Sequence, residues 1–116
     1  MHELSIALNI VEIACEESQR RGNARISAVY LKLGALSGVV KDALLFSWEL
    51  ACDGTPLAGA RLDIEEIPIA VWCPQCAAQR EIAGPFEMLC PECGMVVTEV
   101  RQGRELEVRA LEIEDG

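Results

Sequence analysis

Histidine occurs once in this chain of 116 residues, aromatic residues make up 4% of it, and 10 Lys and Arg face 19 Asp and Glu. Each scarcity excludes something. A nucleic-acid binder needs basic side chains for phosphates and aromatic ones for bases, so a formal net charge of −9 argues against that class. There is no Ser-His-Asp set, no phosphate-cradling glycine loop and no second histidine, so no enzyme is read from the residues. The acids read as solvated helix and strand faces. No apolar run approaches the roughly 18 residues of a membrane helix. The opening Met-His-Glu lacks a basic region followed by an apolar one, so a soluble cytoplasmic protein is expected, with no membrane partner. No internal repeat and no low-complexity segment is found apart from two cysteine pairs.

Hydrophobic residues, at 51%, are plentiful enough for a core. Residues 4–21 read as a helix, with Ser5, Asn9, Glu12, Glu16 and Gln19 in one polar stripe and apolar residues filling the remainder. Gly22 stands where a helix C-cap wants positive φ. Residues 25–33 alternate as a strand. Ser37 is a candidate cap for a second helix from about Val40 to Cys52, with Val40, Leu44, Trp48 and Ala51 on one stripe. Residues 61–67 and 105–113 complete the strands. The strand–helix–strand unit favours a parallel pair. The expected fold is α+β, a small α/β layer of two helices on a three-stranded mixed sheet. A zinc-ribbon-like domain is inserted at 71–102, leaving 1–70 plus 103–116 as the α/β domain.

The insert holds four cysteines, three prolines and few large aliphatics, so something besides an apolar core must hold it. Six cysteines could signal a secreted disulfide scaffold. Against that, no secretory signal precedes them and four of the six form two pairs. Cys73-Pro74-Gln75-Cys76 and Cys90-Pro91-Glu92-Cys93-Gly94 are separated by thirteen residues. Two such hairpins offer four thiolates to one tetrahedral ion, and zinc(II), with a filled d shell, takes that geometry readily. Four sulfurs leave no open position, so the zinc is structural. A redox pair of the thioredoxin kind occurs singly at a helix start, unlike these. Cys15 and Cys52 read as small core residues.

The lone histidine is His2. In general a lone histidine is a surface side chain. At position 2, however, the Met1 amine, a backbone amide and the imidazole can close fused chelate rings around nickel(II) or copper(II), which favour flat nitrogen sites. The amine has an ordinary pKa of about 7.7–8.0, low enough for such an ion to displace its proton near neutrality. His2 is bulky enough for Met1 to be retained after synthesis. Glu3 is adjacent.

The chain resembles the HypA/HybF family of nickel metallochaperones. The resemblance rests on Met1-His2-Glu3-Leu4-Ser5, Leu33-Gly34-Ala35-Leu36-Ser37-Gly38-Val39, Cys52-Asp53-Gly54-Thr55, Trp72-Cys73-Pro74-Gln75-Cys76, Cys90-Pro91-Glu92-Cys93-Gly94 and Gly103-Arg104-Glu105-Leu106. It implies transient nickel(II) on His2, with Glu3 in the same site, and structural zinc(II) on Cys73, Cys76, Cys90 and Cys93; the chelate reading adds the Met1 amine to the nickel site. It further implies no enzymatic activity, a HypB-type nickel GTPase as partner, and delivery to the large-subunit precursor of a NiFe hydrogenase. The alternative reading from the residues is a zinc-ribbon interaction module without a transit metal.

Overall fold

The computed structural model describes residues 2–114. Helix α1 spans Glu3–Arg20, strand β1 Ile26–Gly34, helix α2 Lys41–Cys52 and strand β2 Arg61–Ile67. Strands β3 (Ile69–Cys73), β4 (Ala78–Ile82) and β5 (Glu99–Gln102) follow, and β6 (Leu106–Ile113) comes last. They form two sheets, ordered β2-β1-β6 and β4-β3-β5. Two compact units result: residues up to Leu31, Val39–Glu65 and from Glu107 on make one, and Lys32–Gly38 with Glu66–Leu106 make the other.

In the first unit, α1 buries Ile6, Ala7, Ile10, Val11, Ala14 and Ser18, one stripe at helical spacing. Gly22, at φ 71°, follows the C-cap Arg21 and turns the chain out of the helix, and the Asn23 N–H donates to the Ser18 carbonyl at 2.9 Å. Helix α2 buries Leu44, Trp48, Ala51 and Cys52. The Trp48 indole N–H donates to the Ala60 carbonyl at 3.0 Å, so its polar edge is satisfied. Ile26, Val29, Leu31, Leu57 and Leu62 complete this core.

The two edges of the first sheet differ in direction. Ile26 N–H donates to Pro56 O and Ala35 N–H to Ile67 O, so β1 and β2 run the same way. Glu114 N–H donates to Arg25 O and Gly34 N–H to Glu105 O, so β6 opposes β1. The sheet is mixed, as the sequence led us to expect.

Two helix-start expectations need correction. Val40 does not join the α2 stripe; it is the N-cap and is 59% exposed. Ser37 is not that cap. No side chain of the cap residue bonds the helix start, and the Val40 N–H instead donates to the Glu3 carboxylate at 3.1 Å. The job a Glu does three residues into a capping box is done here from α1.

The second unit holds three strands that the sequence reading merged into one insert. It also has an apolar cluster of its own, formed by Ile69, Val71, Cys73, Cys90 and Val97. Lys32–Gly38 belongs with it because Gly34 N–H donates to Glu105 O at 2.7 Å and Leu36 N–H to Gly103 O at 2.6 Å. A Cβ on Gly34 would collide with the Gly103 carbonyl. The segments Leu33–Val39 and Gly103–Leu106 are therefore two halves of one backbone contact.

Candidate metal centre

Strand β3 carries Cys73 into the interior at its end, where it is wholly buried. The chain reverses through Pro74, Gln75 and Cys76, and β4 returns with Cys73 opposite Ala78 and Val71 opposite Arg80. Cys76 N–H points at the Cys73 sulfur, 3.4 Å away. Ala77 takes the left-handed conformation at φ 52°, a strained choice for a residue with a Cβ.

The second pair repeats this knuckle. Cys90 N–H donates to Met95 O at 2.8 Å, and Gly94 N–H to Cys90 O at 2.9 Å. Gly94 sits at φ 76°, so Ala77 and Gly94 hold corresponding places just after the second cysteine of each pair. A bridge between Leu89 and Val96 closes the hairpin.

The two knuckles face one another. All four sulfurs lie within 4.8 Å of one another. Cys73 and Cys93 are 3.5 Å apart across the pairs, and Cys76 and Cys90 3.9 Å. A disulfide needs about 2.05 Å. Sulfurs about 2.3 Å from one tetrahedral ion stand ~3.8 Å from each other, which these distances bracket. The donor set is thus spaced for a metal such as zinc.

The thiols are not equivalent. Backbone N–H groups of Cys93 and Glu92 favour the Cys90 thiolate and bring it down to about 6. The Met95 N–H favours the Cys93 thiolate too, but desolvation and the neighbouring sulfurs overcome it and push Cys93 up to about 12. A cysteine sheds its proton to take a metal, so the affinity of such a site falls as pH falls.

At the other end of the chain, Met1, the first of the nickel candidates, lies outside the described residues. His2 is exposed and is the N-cap of α1; its side chain makes no capping bond, while its carbonyl accepts the Ile6 N–H at 3.3 Å. The Val40 N–H holds the Glu3 carboxyl below its usual range. His2 and Glu3 are adjacent in the first turn, and the Glu3 carboxylate is already engaged.

Cys15 and Cys52 join the same apolar core, Cys15 at its margin and Cys52 inside. Desolvation, helped by the nearby Cys15, pushes Cys52 up to about 11. Sequence reasoning missed Arg80. The available signal was a lone cation between Ala78 and Ile82, on what is otherwise the apolar row of a strand.

Comparison with known proteins gives the family and the fold. The family described as "Hydrogenase/urease nickel incorporation, metallochaperone, hypA" matches residues 1–113. The hydrogenase maturation factor HypA of Chloroflexus aurantiacus is 54% identical over 112 residues, covering 97% of this chain and 98% of that one. The factor of the same name from Geobacter metallireducens is 45% identical over 114 residues, covering 98% of this chain and 100% of that one. The solution structure of the nickel metallochaperone HypA from Helicobacter pylori superposes with a TM-score of 0.62 at 23% identity, covering 97% of each chain. At that identity it speaks for the fold.

Proposed function

The chain belongs to the HypA family of nickel-incorporation metallochaperones, and from that premise we propose that it binds nickel(II) through Met1, His2 and Glu3 and hands it over during NiFe-hydrogenase maturation. Such proteins carry a metal to another protein; they are not enzymes. The single observation that carries the proposal is the state of His2, an exposed imidazole at the first turn of α1 with no capping bond to occupy it. Delivery needs an accessible shell from which the ion leaves by ligand exchange, and an exposed helix start provides one. Glu3 serves by its backbone amide, while its carboxylate, bonded to Val40 N–H, fixes that turn to the start of α2. An amide that loses its proton to nickel becomes anionic, and the positive end of the α1 dipole favours that charge.

The four cysteines are proposed to hold zinc(II) in a structural role. Their sulfurs fit a closed tetrahedral shell, which gives no route for passing a metal on. The two sites thus have opposite duties. The work is placed in the cytoplasm, with a HypB-type GTPase and the hydrogenase large-subunit precursor as partners.

The test is delivery. A cell lacking this protein should regain nickel in its hydrogenase when given the wild type and not when given His2→Ala. Pull-down of the GTPase and the precursor should succeed with both forms. Full hydrogenase nickel content with His2→Ala would refute the transit site, and recovery of neither partner would refute the delivery role.

A further inference from the structure

An arginine stands where the second unit is otherwise apolar. In the antiparallel pair of β3 and β4, Arg80 is directly opposite Val71, and Ala78 opposite Cys73. Residues opposite one another project to the same face, so Arg80 shares the face of Val71 and Cys73, both wholly buried. The alternation along β4 agrees: Ala78, Arg80 and Ile82 are half-buried, while Gln79 and Glu81 are exposed.

A guanidinium on such a face needs partners, because a buried donor without one costs free energy. Its Nε is buried and has no hydrogen-bond partner among the described residues. The neighbours it does have are sulfurs. The sulfurs of Cys76 first, then Cys90, lie near enough to favour its charged form. Cys76 belongs to the first knuckle and Cys90 to the second, so the guanidinium charge acts on both.

The charge balance gives that placement a purpose. Four thiolates around one divalent ion leave two surplus negative charges in a partly buried place. One guanidinium cancels half of that surplus. N–H groups of a guanidinium beside such sulfurs draw density from them and fix their direction, as outer partners of metal ligands commonly do.

We propose that Arg80 is a positioning residue of the metal centre, its guanidinium supplying the counter-charge of the four thiolates from the sheet face it shares with Cys73. This rests on the zinc reading given above. A sequence with the same four cysteines and a neutral residue at position 80 would hold its metal more weakly.

The experiment uses the full chain with zinc or cobalt(II) alone. Zinc affinity is read by competition with a chromophoric chelator for wild type, Arg80→Gln and Arg80→Lys. Arg80→Gln should bind about 10–100-fold more weakly, and Arg80→Lys should recover part of that loss because the charge returns. The cobalt-loaded forms add a readout that a merely structural role would leave alone. Without the cationic N–H donors the sulfur lone pairs rise in energy, so the sulfur-to-cobalt charge-transfer band of Arg80→Gln should move to longer wavelength. That band is measured on the metal-loaded protein, so it reports even where the metal-free variant is unfolded. An unshifted band with wild-type zinc affinity in Arg80→Gln would overturn the proposal, as would an Arg80→Lys no better than Arg80→Gln. The wild type separates the two layers. If it binds no zinc, the zinc reading itself fails; if it binds zinc and Arg80→Gln behaves identically, only the role of Arg80 fails.

Discussion

Cys52 and Cys90 are equally buried, each 2% exposed, yet their chemistry diverges. Cys52 lies in the core of the first unit, where desolvation drives its thiol up to about 11. Cys90 lies in the second unit, where N–H groups from Cys93 and Glu92 aim at its sulfur and bring it down to about 6. The residue type is the same and so is the exposure. Two things differ: desolvation by the surrounding core governs Cys52, whereas backbone donors converge on the Cys90 sulfur. The units differ in bulk as well. The first has fourteen buried core residues among those described; the second has five, two of which are cysteines of the metal centre. One unit is built on hydrocarbon, while the other spends its scarce interior on ligands.

The largest effect that could break this contrast is loss of the metal. Cys73→Ser or Cys90→Ser should unfold the second unit, because metal binding supplies much of its folding free energy. The α1 and α2 signals should persist in the same sample. Amide spectra of the two units, with zinc content measured alongside, check this, and an intact second unit without zinc would contradict it.

The mirror experiment is smaller. Leu44 is fully buried in the first unit, and Leu44→Ala should cost about 3 kcal/mol by the transfer and cavity terms together. Zinc content should not change. Chemical denaturation followed on the helices gives the number, and zinc loss in Leu44→Ala would show that the units are not independently stabilised.

A third effect separates the thiols by pH. The folded state raises Cys52 above its ordinary value of 9.0 to about 11. Between those values an unfolded chain gives up the proton while the folded one keeps it. Stability is therefore full below about pH 9 and falls as pH rises towards 11, by about 2 kcal/mol at most. Cys52→Ala should lack this part of the alkaline loss. Denaturation midpoints of both proteins from pH 8 to 11 test it; parallel curves would count against a buried neutral thiol.

How far the sequence shows these things depends on how local the cause is. The helix expected at 4–21 is Glu3–Arg20, and the strand expected at 61–67 is Arg61–Ile67, because periodicity and caps are written within a few residues. The four-cysteine cluster was legible because two-residue spacing dictates its own turn. Strands β3, β4 and β5 were not, since Ile69-Ala70-Val71-Trp72-Cys73 is a short apolar run without alternation and β5 is only 4 residues long. Three further features depend on residues far apart in the chain. Gly34 meets Gly103, Glu3 caps at Val40, and Cys15 lies near Cys52. No spacing rule reaches across such distances.

The central claim is that the exposed first turn, and not the sulfur cluster, carries the travelling metal. Calorimetric titration of nickel(II) into zinc-loaded wild type, His2→Ala and an N-terminally extended form tests it most directly. The wild type should take up a single nickel ion with a visible band of the square-planar kind. His2→Ala should bind none, with zinc content and thermal unfolding unchanged, since an exposed first-turn residue contributes little to the core. The extended form, its amine locked in a peptide bond, should bind more weakly or with altered geometry. Unaltered nickel affinity in His2→Ala would contradict the account and leave a zinc-ribbon interaction module in its place.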